Sequence, residues 1–390
     1  MRRFWYAKYI ITLLASTILT FHFLHSKISD DNRDFLPKDL ETSQFNHARQ
    51  RKNIFINNSF MLRKLSQGNL ATANRNLEPP TWVVLPGNVT VHKGDENVPL
   101  DFIFELNADK ICDTFDNSRR KIVIFVASSA DHFSQRKVIR ETWGLKLLQD
   151  AYNYRIVFLL GKGDEETQIL IQHENYRYGD LVQINLTESF RNLGRKSVAG
   201  LQWSRLFCKV ADFVMKTDDD ILIHIPNLLD AINNAQNPDS LLMCHENRMR
   251  KILRKELLDQ VALPSSYHKY EVSENELPGD YYPPYCSGMA YVFSNSVRDR
   301  LLHASKATPI FFIEDVYLTG FCRHKAGIII SPHVGITLRP PIDVNQAACI
   351  FRDGRITSQE VRVDELRRLW AELNTQGFFC PEIVGYARKH

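Results

Sequence analysis

The sequence has almost no surplus of charge. Its 49 Lys and Arg stand against 45 Asp and Glu, a net +4 over 390 residues, too thin and too scattered for phosphate-backbone binding, so nucleic acid is not an expected partner. Cysteine is also scarce. Seven are present and none forms a C-x-x-C pair, which excludes a disulfide scaffold, a zinc ribbon and a thioredoxin-type motif. There is no internal repeat and no low-complexity tract, and general disorder, a collagen-like fibre and a multi-span membrane protein are excluded as well. With 44% hydrophobic and 24% charged residues, the chain reads as one folded, enzyme-sized unit.

The amino terminus has what the rest lacks. After Met1-Arg2-Arg3 and Lys8, the stretch Tyr9 to Leu24 carries no formal charge. It is short for a bilayer span of roughly 17 to 25 residues, but Phe4-Trp5-Tyr6 extend it if Lys8 snorkels. A cleaved signal peptide has a similar start. No small-x-small site follows Leu24, where His25-Ser26-Lys27 stand, and an uncleaved signal anchor over 9–25 is favoured, with a cytoplasmic tail over 1–8 and the bulk of the chain lumenal. Sequons at Asn57, Asn88 and Asn185 read as glycosylation acceptors in a translocated chain. All seven cysteines lie beyond the span, where an oxidising lumen allows up to three bridges and leaves one thiol over.

Residues 26–119 read as a lumenal stem and docking segment, rich in Asn, Arg, Gln and Thr and broken by Pro79-Pro80, Pro86-Gly87 and Pro99. A catalytic domain is expected over 120–390. Lys121–Ala127 and Arg155–Leu160 are compact apolar runs of the kind buried on both faces of a sheet, and Leu181–Ile184 and Phe213–Lys216 are two more candidates. Helical character runs over Ser134–Leu148 and Lys196–Lys209, which predicts an α/β fold with a mostly parallel central sheet. Tyr291–Phe293 and Gly327–Ile330 extend that sheet, and Asp364, Leu366, Leu369, Trp370 and Leu373 mark one amphipathic helix near the carboxyl end.

Four segments carry chemistry. In Lys216-Thr217-Asp218-Asp219-Asp220 three carboxylates follow an apolar strand at its carboxyl end, where parallel sheets bind ligands. Oxygen-only ligation suits Mn²⁺ or Mg²⁺, which in turn bridges a diphosphate. A solvated turn is the plain alternative, against which the flanking apolar residues argue. Glu314-Asp315 in Ile-Glu-Asp-Val-Tyr offers a carboxyl shifted toward general-base duty by burial, or simply acids at a helix amino terminus. Arg136 and Arg140 stand four apart on one helical face and would meet a diphosphate or a carboxylate, with Trp143 as core; a solvated face is the alternative. Asp280 to Gly288 combines aromatics, prolines and glycine into a rigid loop, a sugar-stacking surface or a structural corner.

In order and spacing these segments resemble the β-1,3-glycosyltransferases of glycosyltransferase family 31 from about Lys121 to Trp370. Arg136, Arg140, Thr142, Trp143 and Gly144 match one family block. Tyr178-Gly179-Asp180-Leu181, Asn192 to Lys196, Trp203 to Cys208, Lys216 to Asp220, Tyr282 to Gly288 and Glu314 to Tyr317 match the others. The resemblance implies a GT-A nucleotide-sugar-binding fold in a type II Golgi membrane enzyme that uses Mn²⁺ and a UDP-sugar to extend glycans of glycoproteins or glycolipids in β-1,3 linkage. Galactose is the leading donor sugar, with N-acetylglucosamine and N-acetylgalactosamine as alternatives. It implies that Asp218 and Asp220 hold the metal, with Asp219 beside Asp218 at the nucleotide. Asp315 would be the base beside Glu314, Arg136, Arg140 and Lys196 would face the nucleotide, and Tyr285, Ser287 and Gly288 would line a sugar. Three departures stand out. Gly320 comes one residue late, Tyr270 replaces a tryptophan, and Arg339-Pro340-Pro341-Ile342-Asp343 occupies the region of a metal-completing histidine, leaving His333 as the substitute. A lumenal binding protein of the same fold and a glycosidase are the rival readings.

Overall fold

The computed structural model describes residues 102–261, 265–338 and 354–375, with Cys349 and Phe351. The anchor expected over 9–25, most of the stem, Asn57, Asn88 and the carboxyl-terminal residues from 376 lie outside the described residues. Among the described residues no helix is long and apolar enough to cross a membrane.

Among the described residues the strands are β1 (Phe104–Leu106), β2 (Ile122–Ala127), β3 (Tyr154–Lys162), β4 (Leu181–Thr187), β5 (Phe213–Asp218), β6 (Leu222–Ile223), β7 (Leu242–Asn247), β8 (Tyr285–Ser294), β9 (Ser331–Pro332) and β10 (Thr357–Ser358). Eight form one sheet in the order β1-β4-β3-β2-β5-β8-β7-β9. Its centre, β4-β3-β2-β5, is parallel throughout. β1 and β8 run antiparallel to their neighbours, and β9 pairs parallel with β7. The sheet is therefore α/β with a parallel heart, as the apolar runs predicted. All six residues of β2 are buried because helices cover both faces.

Alternation decides which face each side chain serves. Val123 and Phe125 pack with Val157, Leu159 and Val214 on one side, while Ile122, Ile124 and Val126 pack with Ile156, Phe158 and Met215 on the other. The first face is covered by α4 (Leu193–Phe207) and α7 (Asn295–Ser305), and the second by α1 (Phe133–Glu141), α5 (Ile225–Asn233) and α8 (Val363–Leu373). Two short helices, α2 (Lys146–Tyr152) and α6 (Lys255–Val261), and the longer α3 (Glu165–Tyr178) complete the set. A π-helical turn, Val316–Cys322, continues into Arg323–Lys325.

Several boundaries differ from the sequence reading. The helix expected over Ser134–Leu148 is two, α1 and α2, because the chain turns at Thr142 to Leu145, where Gly144 N–H bonds back to the Ile139 carbonyl at 2.8 Å. Trp143 in that turn is fully buried, as expected of core. The apolar run Gly327–Ile330 is not a strand; the pairing residues are Ser331 and Pro332, just beyond it. The loop expected over Asp280–Gly288 ends early, since Tyr285 already opens β8. Upstream of residue 120 the chain belongs to the sheet through β1, and Cys112 is bridged to Cys208 at the end of α4. A second bridge joins Cys244 in β7 to Cys286 in β8, and Cys349 is also disulfide-bonded. Cys322 is the buried free thiol among the described residues.

Candidate active site

The carboxyl end of β5 delivers the three aspartates, and the direction each takes is set by a different partner. Lys216, 4% exposed, donates from Nζ to Asp218 Oδ1 at 2.7 Å. Asp219 turns inward, where its Oδ2 accepts from Ser128 Oγ at 2.6 Å and lies 2.8 Å from His132 Nδ1. Asp220 reaches solvent, but its backbone is pinned by a 2.9 Å bond from Val361 N–H to its carbonyl, next to the short β6–β10 pairing. Burial, and then the charges of Asp218 and Asp219, push the Asp220 carboxyl up to about 7. Burial also raises Asp218, with Lys216 opposing.

The second acidic pair comes from the turn that enters the π-helix. Glu314 is buried and accepts from Tyr291 Oη at 2.5 Å, and its Oε2 is 3.4 Å from Lys216 Nζ. Asp315 is half-buried. Its Oδ2 accepts from Gly288 N–H at 3.0 Å and its Oδ1 from Val316 N–H at 2.9 Å. Burial first, and the Glu314 charge second, push its carboxyl up to about 7 against the pull of Lys216 and those two bonds. Thr319 Oγ1 donates to the Asp315 carbonyl at 2.6 Å and accepts from Cys286 N–H at 2.9 Å, which fixes the turn to β8. A half-buried carboxyl held near neutrality beside another carboxylate has the properties of a general base.

The expected sugar loop is adjacent. Gly288 donates to Asp315 and its carbonyl accepts from Lys216, while Ser287 is buried beside it. Tyr285 is half-buried, edge-on to Tyr282 at 6.1 Å between ring centroids, and its phenol is raised by burial and by Asp315. Tyr270 is pushed up to about 12 by burial, with the charges of Asp315 and Asp218 as the next causes.

The three cations expected to face a nucleotide are engaged by the protein's own carboxylates. Arg136 is fully buried, with its Nε 3.0 Å from Glu174 Oε1 and its Nη2 2.7 Å from Glu174 Oε2. Arg140 bonds Glu174 Oε1 and both oxygens of Asp180, each within 2.8 Å, and lies over the rings of Phe158 and Tyr178. Lys196 donates to Glu188 and to the Ser128 carbonyl. Of these, Arg136 stands one side chain behind Asp219, through a 3.1 Å bond to Ser128 Oγ.

His333 does not join the acidic run. It follows β9, across β7 and β8 from β5, about 14 Å away at ~4.8 Å per strand spacing, and its Nδ1 accepts from Gly335 N–H. Among the described residues no three His, Cys, Asp or Glu side chains lie close enough to hold a metal ion together. The donor set that fits a hard cation is the pair Asp218, whose carboxyl Lys216 offsets only in part, and Asp220, raised by burial and its two acidic neighbours. Sequence reasoning missed Ser128, His132, Glu174, Glu188 and Tyr291. A lone Ser, His, Glu or Tyr carries no spacing signal; only Lys216, as the first residue of the acidic block, was visible.

The family described as Galactosyltransferase matches this chain over residues 134–333. Human beta-1,3-galactosyltransferase 5 is 30% identical over 67% of this chain and 81% of its own length. Mouse beta-1,3-galactosyltransferase 1 is 27% identical over 71% of this chain and 80% of its own. Among solved structures, a glycosyltransferase involved in the glycosylation of the major capsid of PBCV-1 covers 64% of this chain and 98% of its own at 12% identity, with a loose TM-score of 0.34.

Proposed function

The chain belongs to the galactosyltransferase family, and from that premise we infer an inverting, UDP-sugar-dependent β-1,3-glycosyltransferase of GT-A type, with galactose as the donor sugar. The observation that carries this reading is Lys216. One buried ammonium lies 2.7 Å from Asp218 and 3.4 Å from Glu314, so the end of β5 and the acidic turn meet at one point.

In this reading Asp315 takes the proton from an acceptor sugar hydroxyl as that oxygen attacks the anomeric carbon and the bond to UDP breaks. A divalent cation, Mn²⁺ or Mg²⁺, held by Asp218 and Asp220, would offset the charge of the departing diphosphate. Asp219 is turned inward at the nucleotide end, and Arg136 acts on it through Ser128. Arg140 and Lys196 hold α1, α3 and β4 around the nucleotide end. Tyr285, Ser287 and Gly288 form the wall against which a sugar is oriented, and that orientation supplies much of the rate.

The compartment follows from the same premise: a type II Golgi membrane protein, anchored by 9–25, acting in the lumen on glycoproteins or glycolipids. The bridges Cys112–Cys208 and Cys244–Cys286 favour an oxidising compartment. Asn185 is exposed on β4, as a glycosylation acceptor must be.

The test is to incubate the purified chain with UDP-galactose, UDP-N-acetylglucosamine and UDP-N-acetylgalactosamine and a glycan panel, with and without Mn²⁺. Metal-dependent transfer from UDP-galactose, giving a β-1,3 product, is expected. Transfer from another donor moves the sugar assignment. Binding without turnover, or metal-independent glycan cleavage, overturns the reading.

A further inference from the structure

Lys216 is almost wholly buried, yet it touches three separate pieces of the site. Its Nζ donates to Asp218 Oδ1 on its own strand and to the Gly288 carbonyl on β8, and sits 3.4 Å from Glu314 Oε2. Two of its donors are thereby engaged, by Asp218 and by the Gly288 carbonyl, with the Glu314 carboxylate in ion-pair range. The Gly288 peptide carries the contact further. Its carbonyl is held by Lys216, and its N–H donates to Asp315 Oδ2 at 3.0 Å. The absence of a side chain at 288 lets this happen, since a Cβ there would lie 3.2 Å from Asp315 Oδ2 and 3.3 Å from Asp315 Cβ.

Resting on the glycosyltransfer reading above, we propose that Lys216 is a positioning residue, which through the Gly288 peptide fixes Asp315 relative to Asp218 and so sets the distance between the acceptor's base and the donor's diphosphate site. The base and the donor-binding carboxylate are more than ninety residues apart in sequence and arise on different elements. A catalytic pair so assembled needs a rigid link, because an error of about 1 Å in a reacting group costs on the order of 10²-fold in rate. Of the groups that touch both acidic blocks, Lys216 alone among the described residues bonds both Asp218 and the peptide that holds Asp315.

The experiment is a double-mutant cycle on the full chain with Lys216→Met, Gly288→Ala and the pair, measuring transfer to acceptor and donor hydrolysis by water in parallel. Lys216→Met keeps the aliphatic volume and removes the donors. It is expected to lower kcat for transfer by about 100-fold and donor hydrolysis by much less, since water needs no aligned base–acceptor pair. Gly288→Ala displaces the same carboxylate, so the double variant should be little worse than the worse single one. A role confined to packing would instead lower transfer and hydrolysis together, and losses that simply multiply would show two independent contacts. Either outcome overturns the proposal, as does transfer by Lys216→Met within threefold of wild type. Failure of the broader reading looks different: the wild-type chain itself would show no transfer, whatever the variants do.

Discussion

Two charged clusters sit at the same end of this sheet, and they solve opposite problems. In the first, Arg136, Arg140, Glu174 and Asp180 exchange bidentate bonds until each guanidinium is matched by carboxylate oxygens. In the second, Asp218 and Glu314 share one ammonium that also acts on Asp315, Asp220 has no such partner among the ion pairs of the described residues, and Asp220 and Asp315 are pushed up to about 7. In the first cluster the charges are matched within the protein. The second is short of positive charge, and a cation-bound diphosphate is the kind of partner that makes up the deficit. A dense group of charges is thus informative only after its internal accounts are drawn up, because burial costs each unpaired ion several kcal/mol.

The sharpest way to break the contrast is at Asp315. Replacing it by alanine should lower transfer by about 10² to 10⁴-fold, the range for losing a general base, while Mn²⁺-dependent UDP binding and the melting temperature stay near wild type. Wild-type turnover by Asp315→Ala would remove the base. Glu174→Gln should behave in the reverse manner. It leaves Arg136 buried without its counter-charge, so stability should fall by about 3 to 5 kcal/mol, seen as a lower denaturant midpoint. The enzyme that remains folded should keep its kcat; a kinetic defect at unchanged stability would move that cluster into the catalytic machinery.

The smallest expected effect is in pH. With Asp315 at about 7 rather than its ordinary 3.8, transfer should fall about tenfold per unit below pH 7, as the base becomes protonated. Stability has the opposite sign. A carboxyl raised in the fold adds stability that is full below its unfolded value near 4 and lost as pH rises through about 7, and Asp220 acts in the same direction. Without divalent cation the melting temperature should therefore drop between pH 5 and 8 while activity climbs. Parallel trends would refute the deficit at the second cluster.

The sheet and the site were not equally legible in the sequence. β2, β3 and β5 are apolar runs buried on both faces, and such runs declare themselves. β1 does not: Phe104-Glu105-Leu106 is three residues of edge strand, with too few positions for a period, and it read only as an extended piece of the docking segment. Both acidic blocks were visible because like charges rarely gather among apolar residues without cause. The partners of Arg136 and Arg140 were not, since helical spacing shows that two residues share a face and says nothing about which helix that face meets. Asp180 was in plain view in its family block, and Glu174 lay unremarked one turn before it. His333 was chosen by residue type, and only the strand order, which puts β8 and β7 between it and β5, separates it from the carboxylates.

The Cys112–Cys208 bridge has a mechanical consequence. Anything that restrains the chain upstream of Phe102 applies its load at an edge strand only three residues long, which pulling could unzip one bond at a time. Ten residues on, the covalent link passes tension straight to the end of α4, a helix packed against the sheet. The bridge works as a strain relief: any such pull is stopped at the seam between β1 and α4, and the alignment of Asp218 with Asp315 lies beyond it.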